Sequence, residues 1–212
     1  MLEFLTGTGL AVAAGLNAYI PLLMLGIGDR FLGIVQLPTA WEWLANDWVL
    51  VILGALLVVE VVADKIPIVD SFNDWIQTVI RPAAGGIVFG SGAASETVRV
   101  SDPEGFFASG EWLPIALGAA MALVVHAGKM IARPAINAAS VGTAAPLAST
   151  VEDVASIAMS VFAILLPVLV IVTVAAGVVF LTLIMRRLRR RKNAPQSTAR
   201  DGGSANAKAA GP

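Results

Sequence analysis

The sequence predicts an all-α, polytopic integral membrane protein. Of its 212 residues, 57% are hydrophobic and only 14% are charged, whereas soluble domains carry about 25% charged residues. Two stretches without any charge, 4–28 and 154–185, exceed the roughly 20 apolar residues that cross a bilayer as a helix. A basic run at 186–192 directly follows the second stretch, which is typical of a cytoplasmic flank.

Six apolar segments follow one another along the chain, at about 4–28, 48–62, 82–95, 112–128, 134–151 and 154–185. Asn17 and Pro21 interrupt the first segment and Pro167 the last, so we expect breaks or kinks there. The third and fifth segments are short and rich in small residues, and they either span the bundle centre or re-enter from one side. These segments define a transmembrane domain, 1–185, followed by a basic, disordered cytoplasmic tail, 186–212.

An amphipathic helix is predicted at about 67–80, before the third segment. Its apolar residues recur at helical spacing and are Ile68, Phe72, Trp75, Ile76 and Val79. Its polar face contains Asp70, Asn73, Asp74 and Gln77. Such a helix is expected to lie in the cytoplasmic interface, where it either anchors the connection or acts as a lid over a site below it.

The distribution of basic residues predicts the orientation in the membrane. When both termini are placed in the cytoplasm, only Arg30 and Arg99 lie outside, in agreement with the positive-inside rule. This arrangement puts the connection 129–133 on the cytoplasmic side. It puts Glu152 and Asp153 on the outer side, where they would cap the last helix.

Two parts of the chain resemble each other and predict a duplicated helical hairpin. The pattern Trp-x4-Leu-Gly-Ala begins at both Trp48 and Trp112, and the pattern Arg-Pro-Ala begins at both Arg81 and Arg133. Proline fits well at the first position of a helix, so each Arg-Pro pair is expected to precede a helix start. The charge distribution makes the two copies parallel, whereas a re-entrant third segment would make them inverted.

Four polar residues within the apolar segments form the candidate intramembrane site, because polar groups at depth are costly and usually functional. Glu60 and His126 occupy equivalent places in the two copies, and they are either a proton relay or a structural pair. Asn17 and Asn137 each have a proline nearby. They either line a site in a broken helix or bond to a neighbouring helix.

Four basic residues are expected on the cytoplasmic side, at Lys65, Arg81, Lys129 and Arg133. Such a cluster attracts an anionic substrate or a lipid headgroup. The alternative is that these residues only anchor the helices on the cytoplasmic side, as the positive-inside rule describes.

The sequence contains no signature of an enzyme. There is no cysteine and only one histidine, which argues against thiol chemistry and a zinc centre. Neither a Gly-x-Ser-x-Gly elbow nor a Walker loop is present. We therefore expect no catalytic residue, metal, cofactor or nucleic-acid partner.

Three separated blocks carry a family resemblance, namely GLNAYIPLL at 15–23, VEVVADKIPIVDSFNDWIQTVIRPAAG at 59–85 and HAGKMIARPAINAASVGTAAPLASTVED at 126–153. In this order they resemble the domain-of-unknown-function 4126 family of small bacterial membrane proteins, over about residues 5–175. The resemblance implies a multi-pass protein of the bacterial cytoplasmic membrane. It implies no activity.

The function predicted from these residues is that of a small transporter or channel-like permease for an ion or small solute. The alternative is a membrane scaffold or assembly protein that binds lipid or protein partners and transports nothing. The expected partners are the lipid bilayer and, at the basic tail, anionic lipid headgroups. A homo-oligomer is expected for any pore, because six short helices enclose little volume.

Overall fold

A computed structural model describes residues 1–92, 110, 112–140 and 144–192. Within these residues all regular structure is helical, which confirms the predicted all-α class. The seven α-helices are α1 Leu2–Leu16, α2 Tyr19–Ile27, α3 Asp47–Ala63, α4 Pro67–Gly92, α5 Trp112–Ser140, α6 Ala145–Leu165 and α7 Val168–Lys192. A π-helical turn, Gly28–Leu32, and a 3₁₀ helix, Thr39–Ala45, lie between α2 and α3.

The chain divides into two compact units. The first, Met1–Thr173, contains α1 to α6 and the beginning of α7. The second, Val174–Pro212, contains the remainder of α7 up to Lys192. The tail was expected to be disordered from residue 186, but 186–192 are the last residues of this helix. Residues 193–212 lie outside the described part of the chain.

Two helical stretches are long and apolar enough to cross a membrane, Trp112–Pro134 and Pro146–Leu165. A third candidate is the pair formed by Thr39–Ala45 and Asp47–Ala63, which is bent by 62°. Shorter apolar helices are present at Leu2–Leu16 and Val168–Val179. Apolar helices of this kind are those of a membrane protein, but the predicted number of six spanning segments is not confirmed.

The predicted break in the first segment lies at Asn17. This residue is extended, with φ −144° and ψ 123°, and it separates α1 from α2. Pro21 lies inside α2, in its first turn. The break at Pro167 is also present, because α6 ends at Leu165 and α7 begins at Val168.

The amphipathic helix at 67–80 and the third segment at 82–95 were expected to be separate, and this was wrong for the described residues. They form the single helix α4, which contains Pro82. One buried stripe at helical spacing continues through the proline: Asp74, Gln77, Arg81, Gly85 and Val88. Proline is tolerated inside a membrane helix where neighbouring helices support the freed backbone groups.

The segments predicted at 112–128, 134–151 and 154–185 also have other boundaries. Pro134 lies inside α5 and does not begin a helix. Residues 134–151 therefore contain the end of α5 and the beginning of α6. Since the second Trp-to-Arg pattern lies in one helix while the first covers α3 and α4, the two patterns do not form equivalent hairpins.

Ion pairs between α5 and α6 contradict one part of the predicted orientation. Arg133 and Glu152, which were expected on opposite sides of the membrane, are 2.7 Å apart. Each lies about two helical turns from the connection between α5 and α6. The two helices therefore bring these charges to the same level.

Helix α1 lies at the centre of the first unit and contacts α4, α5 and α6. It is antiparallel to α4, because Gly15 lies beside Arg81 whereas Gly7 lies beside Phe89. Helices α4 and α5 approach closely where Gly85 meets the backbone of Gly118. The small residues of the third segment thus pack helices together, as small-x3-small patterns predict.

Candidate functional site

Arg81 lies at the centre of a buried charge network and joins three other helices. Its side chain is fully buried. One guanidinium nitrogen, Nη2, donates to Glu60 Oε1 of α3 at 2.8 Å. The other, Nη1, donates to the carbonyl oxygen of Gly15 in α1 at 3.0 Å and lies 3.3 Å from His126 Nδ1 of α5. Charge-assisted bonds of this kind are the strong ones in a protein interior.

The contacts of His126 define its tautomer. A guanidinium has only donors, so Nδ1 of His126 must accept from Arg81 and carries no proton. The other ring nitrogen, Nε2, is 3.2 Å from the carbonyl oxygen of Asp74 and 3.2 Å from Thr78 Oγ1. In this arrangement the imidazole is neutral, with its proton on Nε2. A second proton on Nδ1 would remove the acceptor and place two cations in contact.

A second group of charges lies beyond the end of α3. Lys129 Nζ and Arg133 Nη2 are each 3.2 Å from Asp64 Oδ2. The same two cations are 2.9 and 2.7 Å from Glu152 Oε2. Burial acts to raise the pKa of the Asp64 carboxyl, but the Lys129, Arg133 and Arg81 charges outweigh it and lower this pKa below its ordinary value. Asp64 is therefore ionised and is shared by two bases.

Asn17 closes the break between α1 and α2 with its own side chain. Its Oδ1 accepts from the backbone N–H groups of Tyr19 and Ile20, at 3.1 and 3.2 Å, which is the bonding pattern of a helix N-cap. Its Nδ2 donates to Asp153 Oδ1 of α6 at 3.0 Å. Of the two roles considered from the sequence, the bond to a neighbouring helix is the one observed.

Several buried polar atoms next to Arg81 have no hydrogen-bond partner among the described residues. Three are acceptors, Glu60 Oε2, Gln77 Oε1 and Asp74 Oδ1, and one is a donor, Arg81 Nε. Such atoms are rare in native proteins and commonly mark a place for water, an ion or a ligand.

The network carries more negative than positive charge. Its buried or half-buried carboxylates are Glu60, Asp64, Asp74, Glu152 and Asp153. Its buried cations are Arg81, Lys129 and Arg133, so three positive and five negative groups leave a formal charge of −2. Within the described residues, no group of three or more His, Cys, Asp or Glu side chains could hold a metal ion.

Three of the four predicted intramembrane residues lie in or close to the network. Their partners differ from those predicted from the sequence. Glu60 and His126 each contact Arg81, and the hydrogen bonds of the described residues do not join the two directly. Asn17 reaches Asp153. The backbone of Asn137 is part of α5, and its side chain lies outside the described part of the chain.

The predicted basic cluster is divided between different partners. Arg81 belongs to the Glu60 pair, whereas Lys129 and Arg133 share carboxylates, and Lys65 is exposed. Because three of these four bases are buried against acids, they do not form the open basic surface that an anionic substrate would need.

Sequence reasoning missed the central role of Arg81 and the participation of Asp64, Gln77 and Asp153. For Gln77 and Arg81 a signal was present. Asp74, Gln77 and Arg81 are three and four residues apart, which places them on one face of a continuous helix. This signal was hidden because Pro82 was interpreted as a helix start.

The family comparison covers most of the chain. The family described as a domain of unknown function, DUF4126, matches residues 4–188. No curated protein and no solved structure matches the chain. The matched range contains all of the charge network, from Asn17 between α1 and α2 to Asp153 in α6. The chain therefore belongs to the DUF4126 family of domains of unknown function.

Proposed function

We propose that this protein is a small permease that moves an ion or small solute across the bacterial cytoplasmic membrane. The observation that carries the proposal is the buried network around Arg81, with its excess of carboxylates and with acceptors that have no hydrogen-bond partner among the described residues. Buried charges are expensive in an apolar bundle and usually mark an ion or proton pathway. The proposal is one of transport and not of catalysis.

The location of the network supports a transport mechanism in which a helix moves. It lies where α1 is interrupted at Asn17 and where α3 ends at Ala63. Interrupted helices expose backbone groups and helix ends inside a bundle, and transporters use them to hold substrates. The side chain of Asn17 ties this break to α6 through Asp153. A shift of α6 would therefore change the environment of the network.

The experiment is reconstitution of the purified protein into liposomes, with uptake of a panel of ions and small solutes measured under an imposed proton gradient. Glu60→Gln should abolish uptake because it removes the carboxylate that pairs with Arg81, with little change in volume. The matched control is Asp47→Asn on the same helix, since Asp47 forms an exposed ion pair with Arg30. If no member of the panel is taken up by the wild type, or if Glu60→Gln transports normally, the proposal is wrong.

A scaffold without transport activity is the second candidate, and the closed packing favours it. Asn17 is 1% exposed, Glu60 2% and His126 0%. A scaffold would use the network only to fix the helices, with lipid headgroups or further copies of the chain as partners. In that case Glu60→Gln lowers thermal stability, and liposomes containing the wild type remain as tight as empty ones.

A further inference from the structure

Helix α3 packs against the rest of the protein through apolar side chains over its first half only. Leu50 and Leu53 are buried, and Leu50 lies beside Gly26 of α2. The structure describes every residue of α3, and after Leu53 its only buried residue is Glu60. The apolar side chains of 54–63, here called the distal half of α3, are exposed or partly exposed. Apolar packing therefore does little to hold the distal half in place.

Charged side chains attach the distal half instead. Glu60 Oε1 accepts from Arg81 Nη2 of α4 at 2.8 Å. Asp64 directly follows α3 and lies on the same face as Glu60, four residues further on. Its Oδ2 is 3.2 Å from each of two cations of α5, and its Oδ1 accepts from Asn73 of α4 at 3.0 Å. The attachment of the distal half thus depends on two carboxylates.

The cations that bind these carboxylates have other partners as well. Lys129 Nζ and Arg133 Nη2 are 2.9 and 2.7 Å from Glu152 Oε2 of α6. Arg81 also donates to the carbonyl oxygen of Gly15 in α1, at 3.0 Å. A buried charge that loses every partner is costly. Because these cations keep a partner when α3 moves away, that cost is reduced.

Gly54 lies where the apolar packing of α3 ends. A Cβ added at Gly54 would meet no atom of the described residues within 4 Å, so close packing does not require a glycine there. The same Trp-x4-Leu-Gly-Ala pattern places Gly118 in α5, where a Cβ would collide with the backbone of Gly85. Glycine weakens the interior of a helix relative to alanine and lets it bend. Gly54 therefore has the properties of a hinge between the two halves of α3.

We infer that the distal half of α3 is a gate that turns away from α4 and α5 at Gly54, and that the carboxylates of Glu60 and Asp64 hold it closed. Arg81 is fully buried in the closed state. Opening carries both carboxylates away from their partners and uncovers the guanidinium. The inference rests on the proposed permease function for what the opening achieves, namely access of a solute to the network, but not for the movement itself.

The movement is tested on the purified full-length protein in detergent by measuring the distance between two spin labels. The chain contains no cysteine, so labels attach only to introduced ones. Val59→Cys on α3 and Val124→Cys on α5 are suitable because these side chains are 62% and 72% exposed. The otherwise wild-type chain should show one distance. Asp64→Asn removes one of the two carboxylates and should add a second, longer distance, with the open fraction raised about tenfold or more.

Gly54→Ala tests the hinge in the Asp64→Asn background. Because alanine stiffens the helix and meets open space, it should lower the open fraction about two- to fivefold. Gly128→Ala on α5 is the matched control, since its Cβ also meets open space, and it should leave the open fraction unchanged. Asn73→Ala removes the donor to Asp64 Oδ1 and should also open the gate, so the inference stays testable if Asp64→Asn fails to fold.

A second pair of labels separates movement of α3 from a general loosening of the protein. Val79→Cys on α4 and Val124→Cys on α5 are both at exposed positions. Helices α4 and α5 approach closely at Gly85 and Gly118. This pair should therefore keep one distance in every variant.

Three results would overturn the inference. They are a single unchanged distance between α3 and α5 in both Asp64→Asn and Asn73→Ala, an equal change between α4 and α5, and an open fraction that Gly54→Ala leaves unaltered. Solute flux into liposomes separates the gate from the permease. Opening without flux of any solute contradicts transport alone, whereas solute flux through a chain whose α3 stays closed in all variants contradicts the gate alone.

Discussion

The removal of the Arg81 guanidinium should destabilise the protein more than any other single change in the network. Arg81→Met keeps an unbranched apolar side chain but removes the partner of Glu60 and the donor to Gly15. Breaking a buried ion pair from one side costs about 3–5 kcal/mol, because an uncompensated charge remains. For a chain of this size we expect the melting temperature to fall by more than about 6 °C.

A double-mutant cycle shows whether the charge left on Glu60 causes this loss. Replacing both members of a buried ion pair by apolar side chains is often neutral, so Arg81→Met/Glu60→Met should recover much of the stability. We expect a coupling energy of about 1–3 kcal/mol. The cycle is measured by thermal and denaturant unfolding in one detergent, followed by the tryptophan fluorescence of the chain.

The exposed ion pair between Arg30 and Asp47 provides the control for the cycle. Their side chains are 51% and 64% exposed, so Arg30→Met should cost no more than about 1 kcal/mol. Equal effects of Arg81→Met and Arg30→Met would refute the reasoning. Strict additivity of Arg81→Met and Glu60→Met would refute it too, since the two side chains would then act independently.

Three further predictions concern other parts of the network and its packing. Asn17→Ala should lower stability by about 1–2 kcal/mol in thermal unfolding, because the cap of α2 is lost, and an effect below about 0.3 kcal/mol would contradict that role. Asp64 has a lowered pKa, so its stabilisation is complete above about pH 4 and is lost as the pH falls through the folded pKa. Asp64→Asn should flatten the acid limb of a plot of melting temperature against pH, and an unchanged acid limb would argue against the ion pairs. Gly118→Ala would push a Cβ into the Gly85 backbone and should cost about 1–3 kcal/mol. Gly128→Ala on the same helix meets open space and should be neutral or slightly stabilising, so equal results for the two glycines would refute the close packing.

The sequence predicted local breaks well but not the continuity of helices. Asn17 and Pro167 were identified as interruptions, and both separate helices in the structure. Pro82 and Pro134 were identified as helix starts, yet both lie inside long helices. Proline chemistry alone cannot separate these cases, because the packing of neighbouring helices decides whether a missing hydrogen bond is tolerated.

The candidate site was found only in part. The sequence rules count the charges of each loop between apolar segments separately and do not show which charges meet in the folded protein. Glu60 and His126 were selected correctly as buried polar residues, but Arg81, which joins them, was placed in an interfacial cluster. The positive-inside rule likewise separated Arg133 from Glu152. Which carboxylate neutralises which base depends on tertiary contacts, and a count of charges contains no such information.

The salt bridges between α5 and α6 also have a consequence for biogenesis. Helix α5 is synthesised before α6, and it enters the bilayer with Lys129 and Arg133 while Glu152 is still in the ribosome. At that stage Asp64, at the end of the earlier helix α3, is the carboxylate already available to both bases. A charged segment inserts more readily when its counter-charge is present. Asp64 would therefore act as an internal insertion aid, and the hairpin of α5 and α6 would complete its integration only when Glu152 arrives.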